Sequence, residues 1–175
     1  MIFITRPMKW LFAVSIFLSI VACSDITGDA NAQKLTSESL DRPANKMASL
    51  DVYKSPTCGC CEKWIEHLET TGFATLIHHP TDLNEVKQSN AIAPRYQSCH
   101  TAVSTEGYVF EGHIPAHLIQ RFLSNPPQNA IGLAVPGMPV GSPGMEMGDR
   151  NDSYNILLLK TDGSAEVYAS IGAKN

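Results

Sequence analysis

The alternation of apolar and polar residues divides the chain into short strands and helices. Residues 50–54 and 74–77 are short apolar runs typical of strands, and the segment 60–71 between them has helical spacing. The apolar stripe of that segment consists of Cys61, Trp64, Ile65 and Leu68. Gly72 follows as a stop signal. The pattern predicts a strand–helix–strand unit, in which the two strands should be parallel with a right-handed crossover.

A second helix, two strands and a third helix are predicted next. Asp82 with Glu85 has the spacing of a capping box, which begins a short helix ending near residue 90. Segments 101–104 and 108–111 flank a turn and predict paired strands. Pro115 then occupies the first position of a helix. The order of elements is β-α-β-α-β-β-α, which indicates an α/β fold class.

The region 126–152 differs in kind, because proline and glycine recur throughout it. Such a composition allows no regular element to run far, so a loop is predicted here. Its methionines are Met138, Met145 and Met147. Segments 154–159 and 165–171, separated by a tight-turn signal, predict a C-terminal β-hairpin.

The first 22 residues have the features of an export signal. A basic front precedes an apolar stretch that is too short for a permanent membrane helix. The stretch ends in Ile-Val-Ala-Cys23, which resembles the lipobox of bacterial lipoprotein signals. This resemblance implies cleavage and lipidation at Cys23, and Ser24 favours the outer membrane. The alternative is an ordinary secretory signal with a coincidental cysteine; in both cases the chain leaves the cytoplasm.

The rest of the chain is predicted to be one domain on a tether. Residues 23–48 are polar and lack either hydrophobic period, which predicts a disordered tether, and 49–175 form the folded domain. The chain carries 17 acidic and 13 basic residues without a basic cluster. This balance argues against nucleic-acid binding and against electrostatic docking on lipid. Membrane attachment is therefore expected only through a lipid anchor.

Three cysteines are crowded where the first predicted strand meets its helix. Cys61 begins the buried helical stripe, whereas Cys58 and Cys60 should be more open. A helix N-terminus carries a partial positive charge that favours thiolate over thiol. These sulfurs are therefore suited to act as nucleophiles or as ligands of a soft metal.

The predicted topology brings further candidate ligands to the same place. If the third strand runs antiparallel to the first, its beginning places Cys99 and His100 beside the end of the first strand. The fourth strand returns to that edge and delivers His113. One edge of the sheet should then collect four cysteines and two histidines.

Three kinds of site are compatible with these residues. A structural pair of disulfides would join Cys58 to Cys61 and Cys60 to Cys99, or form a similar pairing, but the loop closed by Cys58 and Cys61 is too small to stabilise much. A Cys/His set suits Zn²⁺, while thiolates and thioethers select Cu(I). The nearby methionines favour Cu(I), with Met138 and Met147 as the candidate pair. His113 and His100 are candidate ligands of either metal.

The chain also resembles two known groups of proteins. The element order with a Cys-x-x-Cys after the first strand resembles the thioredoxin fold. The motifs Ser-Pro-Thr-Cys-Gly-Cys-Cys, Ser-Cys-His-Thr, Val-Phe-Glu-Gly-His-Ile-Pro and Gly-Ser-Pro-Gly-Met-Glu-Met resemble those of the CopG-like family of exported bacterial copper-resistance proteins.

The resemblance to the CopG-like family covers about residues 49–172. It implies a periplasmic protein whose cysteines bind Cu(I), including as a cysteine-bridged multi-copper cluster, and cycle between thiol and disulfide. The motif positions are Cys58, Cys60, Cys61 and Cys99, with His113 and Met138 as further positions.

Two functions are carried forward from the sequence. The first is an envelope copper-binding protein in copper resistance that exchanges Cu(I) with an efflux system or a copper chaperone. The second is a lipid-anchored thiol-disulfide oxidoreductase in which Cys58 attacks and Cys61 resolves. Ser98-Cys99 occupies the place where thioredoxins have a substrate-guiding proline, which favours the first function.

Overall fold

The structure is a computed structural model that describes residues 48–172. The predicted signal peptide, the lipidation site Cys23 and all but the last residue of the predicted tether lie outside this range. Within it the strands are β1 (Ser49–Lys54), β2 (Ala74–His78), β3 (His100–Ser104), β4 (Val109–Glu111), β5 (Ala130–Ala134), β6 (Tyr154–Lys160) and β7 (Ala165–Ile171). The helices are α1 (Gly59–Thr70), α2 (Leu83–Ser89) and α3 (Ala116–Ser124), with a 3-10 turn at Pro94–Tyr96.

The seven strands form one mixed sheet in the order β2-β1-β3-β4-β5-β6-β7. β1 and β2 are parallel, as the strand–helix–strand pattern predicts, and β3 is antiparallel to both β1 and β4. β4 and β5 are parallel, whereas β6 is antiparallel to both β5 and β7. The predicted hairpin is therefore confirmed, and it extends the same sheet.

The sheet register brings the predicted chemistry to one edge. Lys54, the last residue of β1, pairs with His100, the first residue of β3. Thr101 of β3 pairs with Glu111, the last residue of β4. The end of β1, the start of β3 and the end of β4 thus meet. We call this side the cysteine edge, and its existence confirms the placement expected from topology.

Helices α1 and α3 cover one face of the sheet, and a smaller apolar cluster lies on the other. On one face, Trp64, Ile65 and Leu68 of α1 are buried, and they pack in the main core together with residues of α3 such as Ile119 and Phe122. On the other face a smaller cluster joins Ile92, Val109, Ala134 and Leu159. The apolar stripe predicted for α1 is thus the buried one. Residues spaced three or four positions apart lie on the same side of a helix, and an apolar side packs against the core.

The interval 126–152 departs from its predicted loop character, because it contains β5. A Cβ atom at Gly132 would lie 1.8 Å from the carbonyl oxygen of Val109. Glycine here permits the close approach of β4 and β5 instead of breaking the strand. The expectation that no regular element crosses this interval is wrong for Ala130–Ala134 and holds for the loop after it.

No helix within residues 48–172 is long and apolar enough to cross a membrane.

Candidate metal centre

One half of the centre, which we call the α1 half, consists of the three cysteines at the start of helix α1: Cys58, Cys60 and Cys61. Cys58 is the N-cap residue of α1 and makes no capping hydrogen bond through its side chain. Cys61 is fully buried, whereas Cys58 and Cys60 are half-buried, as the helical stripe predicts. Cys58 and Cys61 form a disulfide, and the sulfur of Cys60 lies 3.5 Å from that of Cys58.

A buried lysine stabilises the turn that carries these cysteines. Lys54 ends β1, is fully buried, and donates through Nζ to the Ser55 carbonyl at 2.9 Å. Its Nζ also lies 2.6 Å from Oε1 of Glu62, which belongs to the first turn of α1. The strand and the helix are thus joined by an ion pair just outside the cysteine motif.

Cys99 completes a group of four sulfurs. Cys99 directly precedes β3, and its Sγ atom lies 3.6 Å from Sγ of Cys61. The sulfurs of Cys58, Cys60, Cys61 and Cys99 all lie within 4.8 Å of one another. Cys60 and Cys99 are free thiols, so the second disulfide considered from sequence is not formed. The structure therefore brings together the four cysteines that the sequence predicted at one edge.

His113 extends the group from the end of β4, and its tautomer is determined by its surroundings. Nδ1 lies 2.8 Å from the carbonyl oxygen of Pro143, which can only accept a hydrogen bond, so Nδ1 carries a proton. Burial lowers the pKa of His113, so the ring is neutral and Nε2 has a free lone pair. Nε2 lies 3.1 Å from Sγ of Cys99. A carbonyl that orients a ring in this way is typical of metal-binding histidines.

His100 lies behind Cys99 and is fully buried. Its ring packs against Trp64, with the ring centres 4.2 Å apart, and burial together with the neighbouring His113 lowers its pKa well below the usual value. Nδ1 lies 3.3 Å from Sγ of Cys99. Among residues 48–172, Nε2 of His100 has no hydrogen-bond partner.

Cys99, His100 and His113 form what we call the β3 half of the centre, and these contacts assign its protons. The thiol proton of Cys99 is donated to the free Nε2 of His113, so the contact with His100 uses the N–H of His100 Nδ1. Burial and the neighbouring Cys60 raise the pKa of Cys99 to about 11. Cys99 is therefore a neutral thiol at neutral pH, and a metal ion that binds it must displace a proton.

A buried ion pair, which the sequence analysis missed, lies beneath Cys99. Glu111 and Lys87 have relative side-chain exposures of 0% and 3%, and their charged groups are 2.5 Å apart. Burial raises the pKa of Glu111, an effect opposed by Lys87. The sequence signal that could have indicated this buried ion pair is Glu111, a charged residue that directly follows the apolar residues Val109 and Phe110 of the same strand. Its partner is 24 positions away and could not be read from local spacing.

The loop after β5 packs over the centre. Ser98 Oγ donates to the Gly137 carbonyl, which places the adjacent Met138 beside the Cys99 segment. A Cβ atom at Gly144 would lie 2.6 Å from the carbonyl oxygen of Cys60, so the loop contacts the start of α1 directly. The residues Met138 and Met147 are exposed by 52% and 54%. The two predicted methionines thus lie at the solvent side of the loop.

Comparison with known proteins assigns the chain to a family. Residues 96–145 match the family model described as "Protein of unknown function, DUF411". No curated protein matches the chain. Two solved structures, described as "Copper resistance protein copG- Form 2" and "Copper resistance protein copG- Form 1", are each 42% identical to it with a TM-score of 0.68. The matches cover 72% and 73% of this chain and 99% of each CopG chain. The chain belongs to the CopG family of copper resistance proteins.

Proposed function

We propose that this protein binds Cu(I) in copper resistance, on a site formed by Cys58, Cys60, Cys61 and Cys99. The observation that carries the proposal is the convergence of the four sulfurs within 4.8 Å, beside the free Nε2 of His113. Soft thiolate ligands favour Cu(I) and Zn²⁺ over the harder divalent ions. Several ions bridged by the cysteines form a multinuclear site in this proposal, with Zn²⁺ as the weaker alternative.

The further candidate ligands have different roles in this proposal. His113 supplies an oriented lone pair, and His100 supports Cys99 from the buried side. Met138 and Met147 act as outer thioether ligands, because their exposed side chains can meet an incoming ion. Exchange between thioethers and thiolates passes Cu(I) to or from a partner without releasing the free ion.

Copper binding is coupled to the redox state of the site. Cys58 and Cys61 form a disulfide in the structure, so this pair must be reduced before all four sulfurs can act as ligands. The thiol of Cys99 must also lose its proton. The reduced protein therefore binds Cu(I), and the oxidised protein offers only the free thiols of Cys60 and Cys99.

We further propose that the first four strands and three helices form a thioredoxin-like unit. The supporting observations are the order β2-β1-β3-β4, the parallel β1–β2 pair and the antiparallel position of β3. Ser98 and Cys99 precede β3, where thioredoxins have a proline that guides protein substrates. A metal-binding thiol in this place changes the unit from disulfide exchange toward metal binding.

The proposed location is the periplasmic side of the cell envelope. In this proposal residues 1–22 are a signal peptide, Cys23 is lipidated and anchored to the outer membrane, and residues 23–48 are the tether. The copper partner is an efflux system or an envelope copper chaperone, and nucleic acid is not a partner.

A second candidate function is a thiol-disulfide oxidoreductase. The observation in its favour is the Cys58–Cys61 disulfide, which joins the pair that such an enzyme would use. An oxidoreductase of this type would retain its activity in an insulin-reduction assay after Cys99→Ser. A copper site would instead lose affinity for Cu(I) in the same variant.

The test is an anaerobic titration of the reduced protein with Cu(I) against a competing chelator, with Zn²⁺ as the control metal. The expected result is tight uptake of Cu(I) that is lost in the Cys58→Ser/Cys99→Ser variant. Weak binding of both metals by the wild-type protein would overturn the copper proposal and leave the oxidoreductase.

A further inference from the structure

The ion pair of Lys87 and Glu111 is unusual in its burial. Lys87 lies on α2 and Glu111 ends β4, and both side chains are almost completely removed from solvent. Two buried charges lose their hydration, and a well-packed apolar pair often stabilises a fold equally well. Fold stability alone is therefore a poor explanation for this pair.

The hydrogen bonds of the pair show that Glu111 is ionised. Lys87 Nζ and the backbone N–H of Ser98 both donate to Glu111 Oε1, each at 2.5 Å. Thr101 Oγ1 accepts from Lys87 Nζ at 3.0 Å and donates to Glu111 Oε2 at 2.7 Å. Both carboxylate oxygens thus accept hydrogen bonds only, which is the arrangement of a carboxylate anion.

Ser98 is the point at which this network reaches the metal centre. It directly precedes Cys99, and its backbone N–H is held by Glu111. Its hydroxyl group donates to the Gly137 carbonyl, next to Met138. Cys99 Sγ lies 3.1 Å from Nε2 of His113 and 3.6 Å from Sγ of Cys61, so a movement of the segment that carries Cys99 would change both distances.

We propose that Glu111, held in place by Lys87, is a positioning residue that fixes Cys99 for metal binding through the backbone N–H of Ser98. Glu111 touches neither the sulfurs nor the metal in this assignment, and it acts by keeping the segment before β3 from moving. The consequence for metal binding rests on the proposed copper function. The effect of Glu111 on the position of Cys99 is independent of the proposed copper function.

Two double variants separate this role from fold stability. Lys87→Met/Glu111→Gln removes both charges and keeps an acceptor for Ser98. Lys87→Met/Glu111→Leu removes the same charges and leaves Ser98 without an acceptor. The two variants have matched charge and similar volume, and they differ in whether the side chain at position 111 can hydrogen-bond to Ser98 and to Thr101.

The first measurement is the alkylation rate of Cys99 by iodoacetamide in metal-free protein that retains the Cys58–Cys61 disulfide. Peptide mass spectrometry measures Cys60 in the same sample as an internal control, because Cys60 is positioned by α1. We expect the Cys99-to-Cys60 rate ratio to rise about tenfold or more in the Leu variant, because the backbone N–H of Ser98 is left without an acceptor. The Gln variant should retain a ratio close to that of the wild-type protein.

The second measurement is Cu(I) affinity of the reduced proteins by chelator competition. We expect a loss of about tenfold or more in the Leu variant and a smaller loss in the Gln variant, as for residues that orient metal ligands. Equal rate ratios and equal affinities in the two variants would overturn the positioning role. If the ratio changes but wild-type protein binds no Cu(I), the copper function fails while the positioning of Cys99 stands.

A third variant covers the case in which the Leu variant does not fold. Glu111→Asp keeps a carboxylate for Lys87 but shortens the side chain by one methylene group, so it cannot reach both Lys87 and Ser98. The expected result is a raised Cys99-to-Cys60 ratio in a folded protein. An unchanged ratio in this variant would contradict the proposal.

Discussion

The two halves of the cysteine site are built in opposite ways. In the α1 half, Cys58, Cys60 and Cys61 come from four consecutive positions of one strand–helix junction, and two of them are half-buried. In the β3 half, Cys99 is surrounded by side chains from distant parts of the chain, including His113 and the buried Glu111 network. The α1 half also contains the disulfide, whereas Cys99 is a free thiol.

Under the proposed copper function, this difference separates two tasks within one site. The α1 half can change its covalent state, because its sulfurs lie close together on a single turn. The β3 half has a fixed geometry, because each of its groups is held by a partner that is buried or belongs to the backbone. A site built this way can gain and lose ligands on one side while the other side keeps its shape.

Replacement of a sulfur in each half tests this comparison most strongly. Cys99→Ser should lower Cu(I) affinity by more than about a hundredfold, which exceeds the usual effect of residues that only orient ligands. Cys60→Ser should cost about tenfold, because two other sulfurs remain on the same turn. Chelator competition on the reduced proteins measures both values. Equal losses in the two variants would contradict the division between the halves.

The contact between the loop and the α1 half is tested by Gly144→Ala. The new Cβ atom would lie 2.6 Å from the Cys60 carbonyl oxygen at a φ of +84°. We expect a loss of about 3 kcal/mol in the free energy of unfolding, from overpacking and backbone strain together. Denaturant unfolding of metal-free protein provides the measurement.

Gly148→Ala is the matched control for that substitution. Gly148 also has a positive φ, of +59°, but a Cβ atom there would meet nothing within 4 Å. The expected loss is about 1 kcal/mol, from strain alone. Similar losses in the two variants would show that the loop is not seated on α1.

The oriented histidine of the β3 half is tested by His113→Asn. The Asn amide can still donate to Pro143, as Nδ1 of His113 does, but it has no counterpart of Nε2. Cu(I) affinity should fall about tenfold if Nε2 takes part in binding. His78→Gln is the control, since His78 ends β2 and binds Asp51. An affinity equal to wild type in His113→Asn would remove His113 from the site.

The smallest expected effect is the pH dependence of stability that Cys99 produces. Its pKa is raised from 9.0 to about 11, so the folded protein holds this proton more tightly than the unfolded chain does. The resulting stabilisation is fully present below pH 9 and is lost as the pH rises to about 11. Its size should be on the order of 1 to 2 kcal/mol after allowance for solvent screening.

Unfolding of metal-free protein across this pH range, compared with Cys99→Ser, isolates that contribution. The wild-type protein should lose stability relative to the variant as the pH increases. If the difference in unfolding free energy between the two proteins stayed constant with pH, burial would not be raising the pKa of Cys99.

Much of the fold could be predicted from the sequence, because its patterns are local. The stripe of Cys61, Trp64, Ile65 and Leu68 predicts α1 and its buried side, and short apolar runs predict six of the seven strands. β5 was missed because Gly132 indicates a break when seen alone. Its need for glycine arises from Val109, which lies on a different strand. The roles of residues 1–47 and the metal ligands themselves remain predictions.

The amino-acid pattern alone predicts which sulfurs share a turn, which side of α1 is buried and which edge of the sheet collects the cysteines. These properties follow from helical spacing and strand order, and both can be read along the chain. The tautomer of His113, the protonation of Cys99 and the contact from Glu111 to Ser98 follow instead from the folded structure. These properties depend on burial and on contacts between residues far apart in the chain, which local sequence patterns do not encode.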